Sequence, residues 1–187
     1  MQIKELIVSI PHAGTDIPKD IRNRILHDDG SLLREPDLYT DRIYSIPGPH
    51  VLTHPWSRVI GDPNRAPDEI YIEGKKRASG VIMLADCDGQ NVFSSDPSID
   101  DMESWVAKFH RPYHEALEKA VRSASFLIDG HSMASVGACG HLDPGQMRAE
   151  IDIANREYCS CSAETTLFFV EYFRSCGYSV TVNTPYN

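Results

Sequence analysis

The sequence lacks any apolar run of the roughly 18 residues that a bilayer crossing requires, so no membrane partner is expected. It has no internal repeat, no low-complexity tract and no long linker. Its 187 residues therefore read as one domain, 1–187, with a core of its own. It has no C-x2-C pair. Cys159-Ser-Cys161 is spaced too closely for the usual zinc knuckle. It has no surplus of positive charge either, and a net charge of −9 argues against nucleic acid as the main partner. That balance leaves room for a small anionic substrate, because a few local arginines decide such binding. The opening MQIKELIVSIPH has only a short apolar segment before a proline and a histidine, and reads as a first strand rather than a signal peptide. Five cysteines, an odd number without a secretion signal, point to a reducing, cytoplasmic setting and to buried free thiols.

What is present alternates between strand and helix signals. Leu6 to Ile10 is an apolar run stopped by Pro11, a buried strand. Helical stretches are expected from Pro18 to about Leu26 and from Glu35 to Tyr44, each with a proline near its start. Val51 to Thr53 and Arg58 to Ile60 read as strand pieces. From Ala66 to about Ser98 the pattern weakens around an apolar island at Val81 to Leu84, as in a binding loop or lid. Trp105, Phe109, Tyr113, Leu117 and Val121 recur every four residues on one helix face, with Pro112 predicting a kink or two abutting helices. Phe126 to Ile128 is a strand, Ala163 to Ser175 a helix closed by Gly177, and Tyr178 to Val182 a last strand. The pattern predicts an α/β fold, a mixed or mostly parallel sheet flanked by helices in three layers.

In such folds ligands gather at the carboxyl ends of strands. His12 lies two residues past the first strand, and His131 three residues past Ile128. Two histidines so placed can converge on a metal such as zinc, which takes imidazole and carboxylate together. Asp37 and Asp41 are both candidates for the third ligand, and Asp129 suits the orienting of a ligand from behind. In S-R-V-I-G-D-P-N-R, residues 57–65, Arg58 and Arg65 offer guanidinium forks for a carboxylate, with Asn64 between them adding a donor and an acceptor. G-H-S-M-A, 130–134, approaches the G-x-S-x-G elbow of serine hydrolases. The acid and base would have to follow Ser132 in that order, whereas His141 precedes Asp143, so Ser132 is expected to hydrogen-bond substrate rather than attack it. In F-H-R-P-Y-H, 109–114, His114 falls off the aromatic stripe and is expected to face solvent.

Five motifs stand in order along nearly the whole chain: S-I-P-H-A-G, S-R-x-x-x-D-x-N-R-x-P, R-P-Y-H, D-G-H-S and V-N-T-P-Y. Together they resemble the N-formylglutamate amidohydrolase family. The resemblance implies a phosphorylase/hydrolase-like fold akin to zinc carboxypeptidases and aspartoacylases. It also implies zinc-dependent cleavage of an N-acyl amino acid such as N-formyl-L-glutamate, in histidine breakdown. It matches His12 and His131 to metal ligands and favours Asp37 over Asp41 as the carboxylate ligand, with Zn2+ or another divalent transition metal as the ion. Arg58, Asn64 and Arg65 match the elements that hold a substrate carboxylate. The family pattern continues past P-Y to a glutamate on a later strand, resembling the general base of the carboxypeptidase site. None of Glu150, Glu157, Glu164 or Glu171 stands in that context, so the expectation is a chain lacking the family's C-terminal segment, or a silent binding relative.

Overall fold

Leu6–Ile10 forms β1, the middle strand of a three-stranded parallel sheet with order β2-β1-β3, where β2 is His50–Thr53 and β3 is Phe126–Asp129. Ile7, Val8 and Ile10 are fully buried, as a strand flanked on both edges and covered on both faces requires. The computed structural model describes residues 6–70, 80–86, 88–138, 141 and 143–186, and the chain divides into two compact units, Met1–Met133 and Ala134–Asn187. Every strand pairing between the named strands is parallel. The architecture is mixed α/β, with parallel sheets flanked by helices. Among the described residues no helix is long and apolar enough to cross a membrane.

In the first unit the core gathers Ile21, Ile25, Val59, Ile60, Val81, Ile82, Met83, Phe93, Trp105 and Phe109. The apolar island at 81–84 is thus largely core, not lid; residues 71–79 of the expected loop lie outside the described residues. Arg58–Ile60 is a 3-10 turn rather than a strand. Its Ser57 hydroxyl accepts from the Val59 amide, and the tight turn drives Val59 and Ile60 together into the core. The first helix, α1, stops at Lys19–Arg22, because the chain beyond it turns to pair Leu26 N–H with Val92 C=O. A further single-turn helix, α2, is Asp29–Leu32, capped by Asp28. The helix expected from Glu35 shrinks to α3, Thr40–Ile43, behind a left-handed Tyr39 at φ 68°.

Helix α4, Ile99–Trp105, starts on a reciprocal capping box between Ser98 and Asp101. It runs without a break through a π-helical turn, Val106–His110, into α5, Arg111–Val121. Pro112 sits in the first turn of α5. The widened turn, closed by Arg111 N–H on Val106 C=O, accommodates the proline that would otherwise kink the rod.

In the second unit β4, Ile151–Ile153, pairs in parallel with β5, Val180–Val182, through the connecting α6, Ala163–Ser175. Ser162 caps α6 and Gly177, at φ 93°, ends it. The strand β4 carries too short an apolar signal to be read from sequence. Cys159 and Cys176 are exposed and Cys161 half-buried, so these thiols are not the buried ones expected; Cys87 and Cys139 lie outside the described residues.

Candidate active site

The strand ends deliver the histidines. His12 follows β1 by two residues and is 4% exposed. Beyond His12 the chain passes so close to the His54-Pro55 backbone that position 14 must be glycine, since a Cβ there would lie 2.3 Å from the Pro55 carbonyl carbon. β3 ends at Asp129, opposite Ser9 of β1, and the Gly130 amide donates to Ser9 C=O at 2.7 Å. Gly130 lies flat beneath the Tyr44 ring, and the Tyr44 hydroxyl donates to the His131 carbonyl at 3.1 Å. These contacts bring the imidazoles of His12 and His131 edge to face, with centroids 4.9 Å apart.

Asp37 reaches the same point from a loop. Its amide donates to His12 C=O at 2.9 Å, and its own carbonyl accepts from the Thr40 hydroxyl at 2.6 Å. The left-handed Tyr39 lets the chain make both bonds before α3 begins. Asp37 Oδ2 lies 2.8 Å from His131 Nδ1 and 3.7 Å from His12 Nδ1, and accepts from Ser132 N–H at 3.2 Å. Asp41 is exposed on α3, away from this group.

The far edges of both rings are held by carboxylates. His12 Nε2–H donates to Asp62 Oδ1 at 2.7 Å, and His131 Nε2 meets Asp129 Oδ2 at 3.2 Å. Asp62 is 1% exposed and also accepts from Arg58 Nε and Nη2 and from the Asn64 amide. Asp129 accepts the Ser9 hydroxyl at 2.7 Å, and Ser9 Oγ is 2.8 Å from the Tyr113 hydroxyl. With its proton given to Asp129, Ser9 must accept from Tyr113. A hydrogen-bonded chain, buried at Tyr113 and Ser9 and open at Asp129, thus runs from α5 across β1 to the end of β3.

Burial alone would raise the Asp37 carboxyl. The neighbouring imidazoles of His12 and His131 overcome it and hold the group well below the ordinary range. Asp62 behaves alike, with burial opposed by His12 and the Arg58 charge. Burial works against charge on His131 too, but Asp129 and Asp37 lift it to about 9.

His12, Asp37 and His131 each offer one donor atom, all within 4.8 Å of one another. Because His12 Nε2–H donates to Asp62, the Nδ1 lone pair of His12 faces the Asp37 carboxylate at 3.7 Å, a pairing of two electron-rich atoms that would favour a cation. Two imidazoles and one carboxylate, the rings backed by further carboxylates, fit a divalent transition metal.

The anion-binding candidates lie beside this group. Asn64 Nδ2 is 2.9 Å from His131 Nε2. Among the described residues Arg65 Nε is buried with no hydrogen-bond partner. Arg58 spends Nε and Nη2 on Asp62, and among the described residues Nη1 has no acceptor. Ser132 takes part through its backbone amide, which holds Asp37. Sequence reasoning passed over Asp62, although it begins the D-x-N-R element, and passed over the Ser9–Tyr113 pair, which only the packing of α5 against β1 brings together. His114 is exposed, as its place off the stripe predicts, and its Nε2–H donates to Pro63 C=O at 2.8 Å.

The fold and its donor group define a parallel α/β protein with a polar site at the carboxyl ends of adjacent strands, where this class keeps its ligands. The family model of N-formylglutamate amidohydrolase matches residues 4–187, and the chain belongs to that family. A crystal structure of N-formylglutamate amidohydrolase from Ralstonia eutropha JMP134 is similar with a TM-score of 0.82 and 22% identity, over 97% of this chain and 72% of that one. A gene product of Agrobacterium tumefaciens is similar at 0.64 and 16%, over 99% and 70%. At these identities the likeness speaks for the fold. No curated protein matches the sequence.

Proposed function

We propose that this protein hydrolyses the amide bond of a small anionic N-acyl amino acid, with N-formyl-L-glutamate as the first substrate to try. Zinc, or another divalent transition metal, would be held by His12, Asp37 and His131. The observation that supports this reading is the meeting of these three donors at the ends of β1 and β3, with each ring braced from behind by a carboxylate. The parallel β2-β1-β3 arrangement fits the core of a zinc carboxypeptidase-like sheet.

Bound there, the metal supplies a Lewis acid for the scissile carbonyl and acidifies water near neutral pH. The chain's own residues supply position. Asp62 fixes the His12 ring with Nδ1 turned inward, and Asp129 does the same for His131. Asn64, Arg65 Nε and the remaining Arg58 nitrogen orient the substrate carboxylate, so that the amide lies over the donor group. Ser132 keeps Asp37 in place through its amide and leaves its hydroxyl for substrate.

The test is elemental analysis of the purified protein, with turnover of N-formyl-, N-acetyl- and N-succinyl-amino acids before and after chelation. Metal near one equivalent, chelator-sensitive turnover, and loss of both in His131→Ala are expected. Turnover that ignores chelators but yields to a fluorophosphonate would return the chemistry to Ser132. One equivalent of metal without turnover would make the protein a silent binder.

A further inference from the structure

The F-H-R-P-Y-H segment contributes more than core packing. The loop 62–65 carries Asn64 and Arg65. The Asn64 amide is tied to Asp62 Oδ1 at 2.8 Å, and the Arg65 amide to Asp62 C=O at 3.1 Å. The carbonyls on either side of Asn64 are each taken by an imidazole. His114 Nε2–H donates to Pro63 C=O at 2.8 Å, and His110 Nε2–H donates to Arg65 C=O at 2.9 Å. The two rings stack with centroids 4.4 Å apart and planes 27° apart. His110 is 3% exposed.

This pairing depends on the helix. Residues four apart share a helix face. The π-helical turn ending at His110 sets the rotation of α5, so both imidazoles meet the loop while Phe109 and Tyr113 stay buried. A carbonyl near an active site can be satisfied by water or by backbone. Two successive histidines placed on two carbonyls that bracket one residue form a clamp, and the bracketed residue is the one whose side chain reaches His131.

We infer that His110 and His114 are positioning residues that set the angle at which Asn64 and Arg65 meet the substrate carboxylate. The inference rests on the reading of Asn64 and Arg65 as the carboxylate-binding pair. Neither histidine is one of the donors His12, Asp37 and His131; each reaches the site only through the loop that carries Asn64 and Arg65, so the first effect of the clamp falls on the substrate's anionic end.

The experiment compares His114→Leu, which removes the donor, with His114→Gln, whose amide nitrogen reaches as far as Nε2. His114 is the exposed member, so neither change empties the core. Two readouts are taken: kcat and KM for N-formyl-L-glutamate on zinc-loaded protein, and the backbone amide resonances of Asn64 and Arg65 in the metal-free protein. His114→Leu is expected to raise KM about tenfold, the worth of one good hydrogen bond, with kcat within about twofold. Bound zinc should stay equal to that of the parent protein, and the two amide resonances should move. His114→Gln is expected to restore both KM and the resonances; His110→Gln should likewise keep KM within about threefold. An unmoved KM with unmoved resonances overturns the inference, as does a loss of kcat at constant KM, or equal damage from Leu and Gln. If the parent protein turns over no N-acyl amino acid, the functional reading fails and the resonances alone decide the clamp. Movement in Leu with recovery in Gln supports it, and no movement overturns it.

Discussion

His12 gives its Nε2 proton to Asp62 across 2.7 Å, and both side chains are almost completely buried. This one bond decides which nitrogen of His12 faces the site. Asp62 also offsets the Arg58 charge, since its Oδ2 takes two guanidinium nitrogens. Asp62→Ala should therefore act twice. Metal affinity should fall about 10- to 100-fold, as for other carboxylates that stand behind a ligand histidine. The metal-free protein should also melt at lower temperature, because Arg58 would lose its buried counter-charge and His12 Nε2–H its acceptor. Competition with a chelator measures the first effect and thermal unfolding the second. An unchanged metal affinity would mean that His12 needs no bracing, or holds no metal.

The Tyr113–Ser9–Asp129 chain predicts a graded series. Ser9→Ala removes the hydroxyl that fixes Asp129 and takes from the buried Tyr113 hydroxyl its shortest acceptor, leaving it a 3.4 Å donation to Leu52 C=O and the Ile10 backbone bond. Burial already pushes the Tyr113 phenol to about 12, so it cannot ionise to relieve the loss. Ser9→Ala should cost roughly 1–3 kcal/mol of stability and loosen His131, seen as a faster off-rate of metal. Tyr113→Phe keeps the Ser9–Asp129 bond and should cost less on both counts. Equal effects from the two variants would remove Asp129 from the argument.

Much of this arrangement is legible in the sequence, and the limit is physical. Strand β1 and helix α6 follow from uninterrupted local signals, and the histidines from their place after apolar runs. Asp37 required the family resemblance, because a loop position is set by backbone bonds to His12 and Thr40 that no periodicity encodes. The expected strand at Arg58–Ile60 failed because two buried β-branched residues look alike in a strand and in a 3-10 turn. The helices from Pro18 and Glu35 came out short where tertiary bonds, Leu26 to Val92 and Asp37 to His12, won over local propensity. The roles of His110 and His114 were hidden because their acceptors, the Arg65 and Pro63 carbonyls, lie on a loop far away in sequence.

Two glycines separate the motifs' steric demands. A Cβ at Gly14 would meet Pro55 and His54 backbone atoms at 2.3 to 2.4 Å, with nothing flexible to move. A Cβ at Gly130 would meet the Tyr44 ring at 2.8 Å, which can swing away. Gly14→Ala should accordingly unfold or fail to accumulate, displacing His12 with β2. Gly130→Ala should fold with a loss on the order of 1–3 kcal/mol and weaker metal retention, because the Tyr44 hydroxyl leaves the His131 carbonyl. Measured stabilities in the reverse order would contradict the packing at both sites.

The last prediction concerns protons. His131 stands at about 9 in the metal-free protein, above its ordinary 6.5, because Asp129 and Asp37 outweigh its burial. A raised histidine stabilises the fold fully below its ordinary value and loses that contribution as pH rises through the folded one. Metal-free protein should therefore lose stability from this group between pH 6.5 and about 9. Asp37 has the opposite sign: its contribution is present above the ordinary 3.8 and disappears as pH falls below it. A metal at His131 Nδ1 must displace the proton shared with Asp37. Apparent affinity should then rise about tenfold per pH unit and level off near the pKa, with close to one proton released per ion. Calorimetry in two buffers of different ionisation enthalpy counts that proton directly. Asp129→Asn should shrink the release, since the ring loses the carboxylate that keeps it charged. Affinity that stays flat between about pH 7 and 8.5, with no proton released, would exclude His131 as a ligand that exchanges a proton for a metal.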